Sequence, residues 1–285
     1  VHLSFDEPAG KLEIGRVALG QGGLSAEPMW QDRAAEIRAL RPQVIRLFVQ
    51  EYFDLMPARG RYDFSKLDRS VELIRSTGAV PLLSIDFKPR VLFPKIDQDV
   101  VEPADWAAWE SLIEALVRHY PEVGYWEVAN EPDIGEDGGC PYRFRPENYT
   151  RYYQHTAAAV RRANARAKVG GPALASWTSP ILPALLAFCA AGKAPLDFVS
   201  WHTYTSDPAR IRGTIDGVKK LLARYPALKP ETVLNEWNMS LMEPVRDPRF
   251  QPAFIVETAW QMMDAGLDLS CYYHIRDYQI DPAVF

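Results

Sequence analysis

The sequence predicts a single-domain α/β protein, a (β/α)8 TIM barrel spanning residues 1–285. Three observations predict it. Eight short runs rich in β-branched and aromatic residues recur along the chain, each four to nine residues long, as buried parallel strands are. Segments with helical periodicity fill most of the gaps between them. Eight such repeats in 285 residues match the size of one barrel domain.

The expected strands are 15–20, 43–50, 80–86, 124–130, 169–175, 198–204, 232–238 and 269–276. Between them, Leu67, Val71 and Ile74 mark a helix with Gly78 as its C-cap. Trp106, Trp109, Leu112, Ile113, Leu116, Val117 and Tyr120 share one face of the next. Tyr149, Tyr152, Tyr153, Thr156 and Val160 repeat that spacing, and 179–191 is a further candidate. Ile211, Ile215, Val218, Leu221 and Leu222 end before Pro226, and Ile255, Ala259, Met262 and Met263 end at Gly266. Nine residues follow the eighth run, so the closing helix is expected to be absent or to lie beyond residue 285. A start at Val1, without Met or an apolar leader, suggests a processed protein or an excised domain.

The rival architecture is a doubly wound sheet with a phosphate loop after its first strand. Gly20-Gln21-Gly22-Gly23-Leu24-Ser25 stands in that place, but it lacks the third glycine and no good helix opens after it. No cofactor is expected.

Composition excludes other classes. Apolar residues make up 47 % and charged residues 24 %, the balance of a folded globular protein. Lys plus Arg is 32 against 37 Asp plus Glu, and the net charge of −5 argues against nucleic acid as a partner. The longest uncharged stretch, 169–192, is broken by Pro172, Pro180 and Pro183, which argues against a membrane span. Three cysteines without a Cys-x-x-Cys exclude a disulfide scaffold and a zinc ribbon. They leave the compartment open, with a secreted or periplasmic location favoured. A Gly-x-Ser-x-Gly elbow is absent. The first strand offers no His-x-His, and at most two of the five histidines stand at strand ends, so no catalytic metal is expected.

Barrel sites form at the C-terminal strand ends. Two carboxylates stand there, Glu131 after the fourth run and Glu236 late in the seventh. Glu is a poor strand residue and is costly to bury in an apolar run, so the two placements point to function. Facing carboxyls about 5 Å apart split a glycosidic bond with retention, and a gap of about 6.5–9.5 Å admits water and inverts. Strand parity adds neighbours: Ser200, His202 and Tyr204 share one face of strand six, and Arg46 shares a face with Phe48 on strand two. A buried Arg46 needs a carboxylate, and Glu236 or Glu127 can serve. Lys88 and Arg90 follow strand three, where they either bind a uronate or another anionic sugar or stand as solvated loop charges.

Asn130-Glu131-Pro132 on strand four, with Glu236 on strand seven, resembles the clan A glycoside hydrolases. Residues 126–133, Trp-Glu-Val-Ala-Asn-Glu-Pro-Asp, and the later Pro146-Glu147-Asn148-Tyr149 resemble family 39 within that clan. That family includes β-xylosidases, α-L-iduronidases and exopolysaccharide hydrolases. The resemblance follows the whole chain in strand order. It implies a retaining hydrolase of oligo- or polysaccharides, with Glu131 as acid/base, Glu236 as nucleophile and Asn130 on the sugar 2-hydroxyl. It also implies that Arg46 supports the nucleophile. Many relatives carry a β-sandwich domain and a strand-eight Trp, and this chain shows neither. The sugar platform is therefore expected from Tyr273, His274 or Trp237. The expected substrate-binding set is Asn130, His202, Tyr204, Arg46, Trp237, Tyr273, His274 and Lys88. Two other readings stay open: a non-catalytic carbohydrate-binding barrel and a metal-dependent barrel hydrolase.

Overall fold

A computed structural model of the chain describes residues 16–22, 25–240 and 249–276. Eight parallel strands close into one barrel in chain order: β1 (Val17–Gln21), β2 (Val44–Val49), β3 (Val80–Ile85), β4 (Tyr125–Val128), β5 (Lys168–Leu174), β6 (Phe198–Tyr204), β7 (Glu231–Asn238) and β8 (Leu269–Tyr273). The helices are α1 (Ala34–Leu40), α2 (Ser65–Ser76), α3 (Trp106–His119), α4 (Pro146–Ala163), α5 (Ile181–Ala190), α6 (Pro208–Leu222) and α7 (Phe250–Asp264). The expected barrel is the observed one. Gly15, at the start of the first expected strand, and residues 277–285, on which the expected absence of a closing helix bears, fall outside the described residues. Among the described residues no helix is long and apolar enough to cross a membrane.

Local chemistry explains the helix limits. Asp105 caps α3 by accepting from the Ala108 N–H at 3.0 Å, and Asp207 does the same for α6 through Ala209, with Pro208 in the first turn. Gly78 and Gly266 close α2 and α7 with φ of 89° and 68°, a left-handed conformation that costs glycine nothing. The helix α1 escapes the periodicity search because it has seven residues and buries Ile37 alone.

The barrel interior is layered. Ala18, Val44, Leu82, Phe198, Val233 and Leu269 form an apolar cluster at its base. Two residues further along β2 and β6, polar side chains replace them at Arg46 and Ser200, both buried. The next step brings His202 to the mouth. This alternation is the strand period of two read from the floor upward.

Strand β7 breaks that period once. Trp201 of β6 pairs with Leu234, but His202 pairs with Glu236, so Asn235 is an extra residue on β7. The pairing with β8 slips at the same place. The bulge lets Asn235 and Glu236, although consecutive, both face the interior.

Strand β5 is thin where β6 crosses it. A Cβ at Gly170 would overlap the Phe198 backbone carbonyl oxygen and stand 2.6 Å from its ring. Neither can retreat inside a closed sheet. Gly170→Ala is therefore expected to destabilise the fold by about 1–3 kcal/mol through overpacking. A drop in the urea unfolding midpoint measures this, and an unchanged midpoint contradicts the packing described.

Candidate active site

The site is built upward from Arg46. Its guanidinium is 1 % exposed and meets three side chains. Nε donates to Glu127 Oε2 at 2.7 Å, Nη2 to Asn130 Oδ1 at 2.6 Å and Nη1 to Glu236 Oε2 at 3.2 Å. The Phe48 ring lies 4.4 Å from the guanidinium carbon. Burial works against the Arg46 charge, but Glu127 and then Glu236 outweigh it and raise its pKa.

Glu127 is fully buried and anchors this layer. Its second oxygen accepts from Ser200 Oγ at 2.6 Å and Asn235 Nδ2 at 2.5 Å. A buried carboxylate persists only when paired and hydrogen-bonded in this way. Both carboxylates named as candidate partners of Arg46 therefore bind it.

The layer above holds Glu131, His202, Tyr204 and Glu236. Strand β4 ends at Val128, so Glu131 stands three residues past it. Ala129 and Glu131 have φ of 70° and 43°, a sparsely populated region for residues with a side chain. Two bonds hold that backbone: the Ala129 N–H donates to Ile85 at 3.1 Å and the Glu131 N–H to Ala173 at 2.8 Å. The Asn130 N–H between them donates to the buried Asp86 at 3.3 Å. Burial, and then nearby Glu51, push the Asp86 carboxyl well above the usual range.

Glu236 takes a donor on each oxygen. Tyr204 donates to Oε1 at 2.5 Å and Arg46 to Oε2. Burial first, and then the Glu236 carboxylate, raise the Tyr204 pKa, which keeps its hydroxyl a donor. His202 Nδ1 lies 2.7 Å from Glu131 Oε1 and 3.7 Å from Glu236 Oε2. Nδ1 thus bridges the two carboxyl groups. Burial lowers the His202 pKa, but Glu236 and Glu131 outweigh it and leave it raised.

Ligand atoms of Glu131, His202 and Glu236 all lie within 4.8 Å of one another, a set that could hold a cation. A cation there would have to break the His202–Glu131 hydrogen bond and stand beside the Arg46 guanidinium.

The structure therefore brings Glu131, Glu236, Asn130, His202, Tyr204 and Arg46 together. Arg46 supports Glu236 and Asn130 from beneath, and its burial corrects its reading as a substrate contact. Tyr273 and His274 are half-buried at the rim, with the Tyr273 ring 6.0 Å from Phe48 and His274 edge-on to Tyr273.

Two more residues are corrected. Trp237 is fully buried and packs on Phe254 of α7 and on Tyr272. Glu236 faces inward, so the next residue on the strand must face the helices. Lys88 is also buried: Nζ donates to the Asp97 carbonyl at 2.7 Å and lies 4.5 Å from the Tyr142 ring centroid. Its long stem and cation–π contact draw it into the protein and away from an anionic sugar. Tyr142 is itself a core residue and stacks on the buried Phe144. Sequence reasoning missed Gly138, whose carbonyl accepts from Asn130 Nδ2 at 3.2 Å; one glycine in a Gly-rich loop carries no signal of such a role.

A raised His202 pKa carries a sign. The stabilisation is fully present below the unfolded value of about 6.5 and is lost as pH rises through the folded value. The melting-temperature gap between the wild type and His202→Asn is expected to be wider at pH 6 than at pH 9. A gap that stays constant or widens toward pH 9 contradicts the assignment.

Comparison with known proteins places the chain. Residues 48–279 match the model of glycosyl hydrolases family 39. A β-xylosidase of Caldicellulosiruptor saccharolyticus is 29 % identical over 244 residues, which covers 74 % of this chain and 48 % of that protein. A β-xylosidase of Geobacillus stearothermophilus is 32 % identical over 160 residues, 51 % of this chain and 31 % of that protein. The chain thus spans half or less of the length of these curated relatives. A monomeric β-xylosidase from Caulobacter crescentus CB15 shares the fold with a TM-score of 0.75 at 20 % identity, over 91 % of this chain and 59 % of that one. The chain belongs to family 39 of the glycosyl hydrolases.

Proposed function

We propose that this barrel hydrolyses O-glycosidic bonds with retention, by double displacement, and that β-linked xylosides are its first substrate class to test. The observation that carries the reading is the facing of Glu131 and Glu236, whose nearest ligand oxygens lie within 4.8 Å. That spacing is in keeping with the about 5 Å gap of retaining enzymes and leaves little room for the water of an inverting one. It also favours catalysis over a purely carbohydrate-binding barrel. The xyloside proposal rests on the names of the two relatives above.

The donor pattern supports the division of roles. Glu236, with donors on both oxygens, is the nucleophile that must stay anionic. Glu131 is the acid/base. In the first step the Glu131 proton passes to the leaving oxygen while a Glu236 oxygen bonds to the anomeric carbon and the glycosidic bond breaks. In the second, Glu131 takes a proton from water, the water oxygen attacks the anomeric carbon and the bond to Glu236 breaks. Asn130 uses one amide N–H on Gly138, and the other is assigned to the sugar 2-hydroxyl. His202 links the two carboxyls and holds them apart at a fixed distance. Tyr273 and His274 are assigned to the sugar platform. An extracytoplasmic location is proposed with the same activity.

Glu236→Ala is expected to abolish turnover of an activated aryl xyloside, and added azide to restore a glycosyl azide of inverted configuration. NMR of the product anomer reads both. Residual activity above a few per cent, or a retained azide adduct, contradicts the role of Glu236. Failure on xylosides with turnover of another aryl glycoside would overturn the sugar alone.

A further inference from the structure

Gly138 ends a single-turn 3-10 helix, Gly135–Gly138, that follows Glu131 in the chain. Gly135 and Gly139 on either side have φ of 67° and 75°, where glycine is favoured for its backbone. Gly138 has no such φ, so its backbone tolerates a side chain. What excludes one is Glu131. A Cβ at position 138 would stand 2.6 Å from Glu131 Cβ and 3.0 Å from Cδ, and would overlap Oε2. All three nearest heavy atoms belong to that one residue.

The turn has little freedom to withdraw. The Ile134 and Gly135 N–H groups donate to the Glu131 carbonyl at 3.1 and 3.0 Å. The Glu136 N–H donates to Gln98 Oε1 at 3.0 Å, and the Arg143 N–H to the Gln98 carbonyl at 2.8 Å. The Gly138 carbonyl holds Asn130. Rotation of the carboxyl alone cannot relieve the contact with Glu131 Cβ, so a methyl group at 138 must displace the whole Glu131 side chain.

We propose that Gly138 is a positioning residue for the acid/base: its missing side chain creates the space in which the Glu131 carboxyl sits, and any side chain there displaces it from the leaving oxygen. This rests on the reading of Glu131 as the acid/base. A displaced acid matters in proportion to the basicity of the leaving group. A dinitrophenolate departs without a proton, whereas phenolate needs one.

The test compares kcat/KM for phenyl and 2,4-dinitrophenyl β-xylosides, or the corresponding pair of whichever aryl glycoside is turned over. Gly138→Ala is expected to lose about 10²-fold on the phenyl substrate, the scale of a misplaced catalytic group, and little on the dinitrophenyl one. Azide is expected to raise its kcat on the dinitrophenyl substrate by bypassing the base step. Glu131→Gln, measured alongside, should show the same pattern more strongly. If Glu131→Gln loses both substrates alike, the acid/base reading fails. If it shows the pattern but Gly138→Ala loses both alike, or neither, this proposal alone is overturned. Should Gly138→Ala fail to fold, melting temperatures in a Glu131→Gly background decide. Glu131→Gly/Gly138→Ala melting with Glu131→Gly supports the contact, and a further fall overturns it.

Discussion

A guanidinium sealed inside the barrel is the constraint from which the rest of the site follows. Arg46 and Glu127 are both almost completely removed from water. Desolvating such a pair costs several kcal/mol per ion, and the mutual attraction often does no more than offset it. The interior must therefore supply further hydrogen-bond partners. It does so with Asn130 and Glu236 on the arginine and with Ser200 and Asn235 on the glutamate. Four strands are tied to one pair of charges, and the carboxylates above inherit their positions from it.

That arrangement explains two irregularities in an otherwise regular fold. An extra residue on β7 lets Asn235 reach down to Glu127 while Glu236 stays at the mouth. A strict alternation would send one of the two outward. On β4 the chain leaves the strand early and passes through left-handed conformations at Ala129 and Glu131. Both departures lie where side chains must converge on one point, as local strain at functional sites does. Glu131 and Glu236 thus reach a common gap from β4 and β7 by two different local devices.

Much of this was legible in the residues because strand parity is a strong rule. The β6 limits agree with those expected, and Ser200, His202 and Tyr204 fall on the inner face together. Arg46 and Glu127 could be paired before any geometry was known, since a buried charge needs its counterpart. The errors have physical causes too. Trp237 suits a sugar platform by residue type, but past the bulge the alternation resumes and turns it toward α7. The charge of Lys88 suits an anionic sugar, yet its stem and head pack among aromatic rings. The bulge at Asn235, the left-handed turn at Glu131 and the steric role of Gly138 depend on side chains far apart in sequence. No local pattern announces them.

Double displacement as proposed requires Glu236 to form a bond to sugar while Glu131 does not. An aryl 2-deoxy-2-fluoroxyloside slows the second step and allows that bond to accumulate, and peptide mass spectrometry then locates the added sugar. A single adduct on the peptide carrying Glu236 is predicted. An adduct on Glu131, or none from an enzyme that still hydrolyses the unfluorinated xyloside, would contradict it.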